Sequence, residues 1–204
     1  MTARVKPVSV ALVGIALLAS LFNASLGASL AADPDASLRI TAISREDLQR
    51  WDVAWHSQDG SPMPWSLELV ETPQLEPLGV AAALEWRFTL IGAWASIETP
   101  IAGVPEGASQ VVLYIKGNAA TPHAFLEAYE QDGTRWRASV RIRTEWTKVV
   151  LTPRDFFYLL GGNGRGGPND KIQLSKLVRT GLTVDGAKIN LGDKQIVLGL
   201  IVFE

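Results

Sequence analysis

From Trp65 onward, apolar positions come in short runs broken by Gly, Pro and Asp: "WSLELVE", "AAALEWRFTLI", "AWASIETPI", "SQVVLYIKG", "HAFLEAYEQ", "TRWRASVRI", "EWTKVVLT", "LVRTGLTV" and "QIVLGLIVFE". Inside the runs the period is two. In "LEWRFTL", Leu84, Trp86, Phe88 and Leu90 point one way and Glu85, Arg87 and Thr89 the other; side chains alternate between the faces of an extended strand. In "TRWRASVRIR", Trp136, Ala138, Val140 and Ile142 oppose Arg135, Arg137, Ser139, Arg141 and Arg143. Eight or nine such strands with no strong helix between them predict an all-β protein, an antiparallel β-sandwich.

Asp132-Gly133 is a hairpin signal and joins the strand ending near Glu130 to the one starting at Thr134. The alternation assigns Trp86, Phe88, Trp136, Val140, Trp146 and Leu151 to the space between the sheets. Upstream, "SREDLQRWDVAW" has Ser44 as an N-cap and Glu46 and Asp47 where the helix dipole favours acids, which predicts a short helix or tight turn within residues 44–56.

The N-terminus follows a different pattern. Arg4 and Lys6 precede the uncharged run "VSVALVGIALLASLF", and the small residues of "NASLGASLAADPD" follow. This is the layout of a secretory signal peptide, residues 1–31, with Ser29 and Ala31 at the positions a signal peptidase reads and a mature start near Ala32. An uncleaved anchor is the alternative, because apolar and small residues continue from Val8 to about Leu30. Either way residues 32–204 form one β-sandwich domain placed outside the cytoplasm, secreted or periplasmic, in contact with a membrane only if the segment stays uncleaved.

Composition removes several classes. A formal net charge of -2 offers no footprint for nucleic acid. With no Cys there are no disulfides and no thiolate metal sites. Gly162, Gly164 and Gly167 fit the spacing G-x-G-x-x-G, but Pro168-Asn169-Asp170 follows and no amphipathic helix opens there, so the phosphate-binding reading fails and a mobile surface loop without nucleotide is expected. His56 and His123 are far apart with no acid at metal-ligand spacing, Glu68 and Glu71 face opposite sides of one strand, and no G-x-S-x-G occurs. A non-catalytic domain is therefore expected. No cofactor is implied, and a structural calcium stays open without assigned ligands, since Asp132, Asp185 and Asp193 all sit in ordinary turns.

The order "SQVVLYIKGN", "AFLEAYEQDGTRWRASV", "EWTKVVLTPRDF" and "IVLGLIVFE" resembles the galactose-binding-like jelly roll of many carbohydrate-binding modules and of related respiratory-complex assembly domains. Trp146, Val149, Leu151, Asp155 and Phe156 carry the likeness in the third element, and it extends over roughly residues 38–204. The resemblance implies a glycan held on one sheet face or in the loops at one edge. A sugar ring needs an aromatic plate for its C–H face and charged or amide groups for its hydroxyls. Tyr114 and Lys116, Phe125, Glu127 and Tyr129, and Arg135, Arg137 and Arg141 lie outward, with Glu85 and Arg87 expected nearby. Tyr129 and Tyr114 are then the stacking plates, Tyr114 only if its strand is adjacent in the sheet, and Glu127, Arg137 and Arg141 the hydroxyl contacts. The partner so implied is a polysaccharide or oligosaccharide in a glycan-degrading setting. The alternative is a non-catalytic protein-interaction or assembly domain on the same fold, and a solvated sheet face of Glu–Arg pairs explains the outward residues equally well.

Overall fold

The computed structural model describes residues 37–41, 44–57 and 59–204, together with the backbone but not the side chain of Arg45. The signal peptide and its cleavage site lie outside the described residues. Among those described, the strands are β1 (Leu38–Ile40), β2 (Asp52–His56), β3 (Trp65–Glu71), β4 (Ala82–Leu90), β5 (Trp94–Pro100), β6 (Val111–Gly117), β7 (His123–Glu130), β8 (Arg135–Arg141), β9 (Thr147–Leu151), β10 (Phe156–Leu160), β11 (Leu177–Asp185) and β12 (Gly192–Phe203). One turn of helix, α1 (Arg45–Leu48), is closed by a capping box: Ser44 Oγ accepts from Asp47 N at 3.2 Å and Asp47 Oδ2 accepts from Ser44 N at 3.0 Å. The rest of the stretch expected as helix or turn straightens into β2. No described helix is long and apolar enough to cross a membrane.

Two six-stranded antiparallel sheets face each other. The first runs β3-β4-β12-β6-β9, with β1 also on β12; the second runs β10-β8-β7-β11-β5-β2. The expected antiparallel β-sandwich is therefore the observed fold. Its core is the inward set of the alternation: Trp86, Phe88, Trp136, Val140 and Leu151 are all buried, and the Trp86 and Phe88 rings stack with centroids 3.9 Å apart. The hairpin turns at Gly133, whose φ of +83° suits glycine, and Asp132 Oδ1 accepts from Thr134 N at 2.9 Å.

Two expectations change. Trp146 is half-buried on the outer face of the first sheet, against a small cluster of Leu75, Val80, Val112, Leu200 and Val202, with the Lys116 ammonium 5.0 Å from its ring centroid. It precedes β9 in outward phase, so it misses the core. The glycine loop is tied down as well. Arg165 Nη1 donates to Glu130 Oε2 at 2.6 Å and to Asp132 Oδ2 at 3.1 Å, its Nε donates to Asp170 Oδ2 at 2.8 Å, and its guanidinium lies over the Trp136 ring. Only a 3-10 turn, Leu174–Lys176, precedes β11, so no helix N-terminus faces the glycines.

Candidate functional site: the outer face of the second sheet

Since Ala95, Ile97, Leu126, Ala128, Trp136, Ala138, Leu182 and Val184 fill the core, the residues alternating with them lie on the outer face of the second sheet. The strand register puts six of these in one transverse row. Asp52 is opposite Glu98, Glu98 opposite Gly181, Gly181 opposite Glu127, Glu127 opposite Arg137, and Arg137 opposite Phe157. At roughly 4.8 Å between strands the row spans about 24 Å, long enough for several sugar rings.

Gly181 makes a notch in the row. A Cβ there would come within 2.1 Å of the Ile97 carbonyl oxygen, so no other residue fits. With no side chain between them, Glu98 and Glu127 are joined by Tyr129 from the adjacent row. Its hydroxyl donates to Glu98 Oε1 at 2.5 Å, with Glu127 Oε2 3.0 Å away. Burial, then the two carboxylates, push the Tyr129 phenol far above its ordinary value, so it remains a donor.

Glu127 is the electrostatic centre. Its side chain is fully buried, yet Arg135 Nε donates to Oε2 at 2.7 Å and Arg137 Nε to Oε1 at 2.9 Å, and each guanidinium adds a second contact through Nη2. Burial pushes the carboxyl up, but the Arg135 and Arg137 charges outweigh it and hold Glu127 below the usual glutamate value. Arg179 Nη1 donates to Glu98 Oε2 at 3.2 Å, and Arg137 Nη1 stands 3.9 Å from Asp185 Oδ2. The network alternates in sign and excludes a free buried charge.

The guanidiniums also cover rings. Arg135 lies 4.9 Å from the Tyr129 centroid and Arg137 4.8 Å from the Phe125 centroid. Phe125 is edge-on to both His123 and Phe157, while Phe157 is 46% exposed. Trp94 shares this face at its far side, opposite Asp185 and His56. The face thus pairs aromatic surface with fixed N–H donors and carboxylate acceptors, the combination a sugar's C–H face and hydroxyls require.

Of the predicted site residues, Glu127, Tyr129 and Arg137 come together. Arg141 lies on the same face opposite His123, exposed and without an ion-pair partner among the described residues. Tyr114 does not join them. Its strand β6 pairs with β12 and β9, which puts the ring on the outer face of the first sheet against the small Leu75 and Trp146 cluster. Glu85 and Arg87 are on that sheet too, and Arg87 Nε donates to Glu85 Oε2 at 2.7 Å. The sequence reading missed Phe157, Glu98 and Trp94. Phe157 had a signal: in "DFFYLL" neighbouring strand residues face opposite sides, so one phenylalanine of the pair must face outward.

Among the described residues, no group of three or more His, Cys, Asp or Glu is placed to hold a metal ion. The turn aspartates are used otherwise: Asp185 Oδ1 accepts from Ala187 N at 2.9 Å and Asp193 Oδ1 from the Thr89 hydroxyl at 2.7 Å.

This architecture, an antiparallel β-sandwich, is one that solved carbohydrate-binding modules share. No family model and no curated protein sequence matches the chain. Among solved structures it is similar to the family 11 carbohydrate-binding module of the cellulosomal cellulase Lic26A-Cel5E of Clostridium thermocellum, with TM-score 0.55 and 15% identity over 76% of this chain and 87% of that one. It is likewise similar to the family 11 module from Clostridium thermocellum in complex with a β-1,3-1,4-mixed-linked tetrasaccharide, with TM-score 0.57 and 14% identity over 81% and 95%. The likeness is one of fold.

Proposed function

We propose that the domain is a non-catalytic carbohydrate-binding module whose ligand lies across the outer face of the second sheet. The observation that carries this reading is the transverse row: an exposed Phe157 plate next to Arg137, then the buried Glu127, the Gly181 notch and Glu98. A hydrolytic reading is disfavoured by charge. A glycosidase acid needs a carboxyl with a raised pKa, whereas Glu127 is held low by two guanidiniums. The similar Clostridium module carries a mixed-linked tetrasaccharide, which makes mixed-linked β-glucan the first ligand to try here.

The test is retention of the purified domain in affinity gels of soluble β-glucan, xylan, galactan and agarose and on insoluble cellulose. Retention on at least one, lost in Phe157→Ala and Arg137→Ala with the fold intact, is expected. A domain retained on none of them, or retained equally by both variants, overturns the reading and leaves a protein partner as the alternative. No metal enters it, so equal retention in EDTA and in calcium is expected. The N-terminal layout supports a domain outside the cytoplasm, and sequencing of exported protein that starts near Ala32 is the expected check.

A further inference from the structure

A separate cleft of about 430 Å³ opens at one end of the first sheet, where β3 begins, β4 ends and β12 begins. It lies on a different sheet from the transverse row, and Trp65, Arg87, Asn118, Asp193, Lys194 and Gln195 help to line it. Most of the polar groups are already committed. Arg87 is paired with Glu85, Gln195 Nε2 donates to Glu85 Oε1 at 2.5 Å, and Asp193 accepts from Thr89.

Lys194 is the exception. It lies opposite Phe88 and in phase with Ile196 and Leu198, an inward position of β12, and it is only 4% exposed. No hydrogen bond or ion pair to a described residue engages its ammonium. Its stem is packed against the core while the ammonium reaches the solvent of the cleft, as a lysine at a core edge does. Burial accordingly lowers its pKa, with adjacent Asp193 partly restoring it. A second free donor faces the same space. Asn118 Oδ1 accepts from Thr121 Oγ1 at 2.7 Å, which leaves its amide nitrogen available. Beside them Trp65 is 47% exposed, a large ring left open at the cleft wall.

We infer that this cleft binds the acidic residue of a uronic-acid-containing glycan, with its carboxylate on the Lys194 ammonium and its ring face against Trp65. The unpaired ammonium in the cleft selects an anion, the indole selects a ring with a C–H face, and the Asn118 amide donates to a hydroxyl. A simple carboxylate or phosphate would satisfy Lys194 and leave the indole and amide unused.

Tryptophan fluorescence and calorimetric titration with oligogalacturonate, with its carboxyl-reduced neutral counterpart, and with acetate and inorganic phosphate test the inference. Oligogalacturonate is expected to bind at least tenfold tighter than the neutral oligomer and than either small anion. Lys194→Met should lose at least tenfold of that affinity with an unchanged or higher melting temperature. If that variant does not fold, Trp65→Ala, an exposed position, takes its place and should lose the same binding. Phe157→Ala, on the other sheet, should bind oligogalacturonate like the wild type, which separates this inference from the sheet-face reading. Equal affinity for acidic and neutral oligomers, equal affinity for acetate or phosphate, or acid binding retained in both variants would overturn it.

Discussion

Arg165 Nη1 lies 2.6 Å from Glu130 Oε2, and this pair turns a glycine-rich segment into a fixed part of the sandwich edge. Glu130 is almost wholly buried at the end of β7, and its other oxygen accepts from Gln173 N at 2.5 Å, so the carboxylate ties both ends of the loop to the sheet. Arg165→Ala leaves that carboxylate without its cation. The expected loss is roughly 2 kcal/mol, less than for a fully buried pair because Gln173 still donates and water can reach the gap. Urea unfolding measures the loss, and limited proteolysis is expected to cut within residues 161–170 only in the variant.

Glu127 links stability to pH. Its folded pKa is lower than its unfolded one because the Arg135 and Arg137 charges outweigh burial. Such a group adds stability that is fully present above its unfolded value and is lost as pH falls through its folded value. The melting temperature should therefore hold from neutral pH down to about 5 and fall below about 4.3. Glu127→Gln removes this part of the acid decline and is less stable at neutral pH by roughly 2 kcal/mol. Melting curves from pH 3 to 8 decide; parallel acid declines in the two proteins would assign the slope to other carboxylates.

Two of the three tryptophans expected in the core should respond differently. Trp136 is 2% exposed between the sheets, with Arg165 above one face and Tyr158 edge-on at 5.9 Å. Trp136→Ala is expected to cost roughly 3–5 kcal/mol. Trp146 packs only on the small outer cluster, so Trp146→Ala should cost about 1–2 kcal/mol. Chemical denaturation of both variants gives the comparison, and equal losses would contradict the layer assignment.

What could be read from sequence was local. Two-residue alternation identified the inward side of β4 and β8, and Asp132-Gly133 identified the one hairpin on which Glu127 and Arg137 depend. What could not be read was which sheet each strand joins. Tyr114 could join Tyr129 only with its strand adjacent in the same sheet, but β6 lies between β12 and β9 in the other sheet. Alternation gives a strand two faces and says nothing about its neighbours. The same gap hid Glu98, which reaches Tyr129 across 31 positions, and Arg165, which reaches Glu130 across 35.

Two aromatic residues of this face should behave in opposite ways. Phe157 is on the edge strand β10, 46% exposed, and its one aromatic contact on this face is the edge of Phe125. Phe157→Ala should leave the melting temperature nearly unchanged and reduce glycan retention at least tenfold, because an exposed ring contributes to binding more than to folding. Tyr129 is different from the free plate its sequence context suggested. Its ring is covered by the Arg135 guanidinium, and its hydroxyl holds Glu98 beside Glu127. Tyr129→Ala therefore removes a bridge between two carboxylates and uncovers Arg135, and roughly 2 kcal/mol of stability should be lost together with retention. Tyr129→Phe separates the two roles: the ring and its cation contact stay, and only the bridging hydroxyl goes. If retention depends on the network that fixes the Arg137 donors, Tyr129→Phe binds weakly although it is well folded. If Tyr129→Phe binds like the wild type while Phe157→Ala also does, the row is a structural ion-pair network and the glycan is held elsewhere.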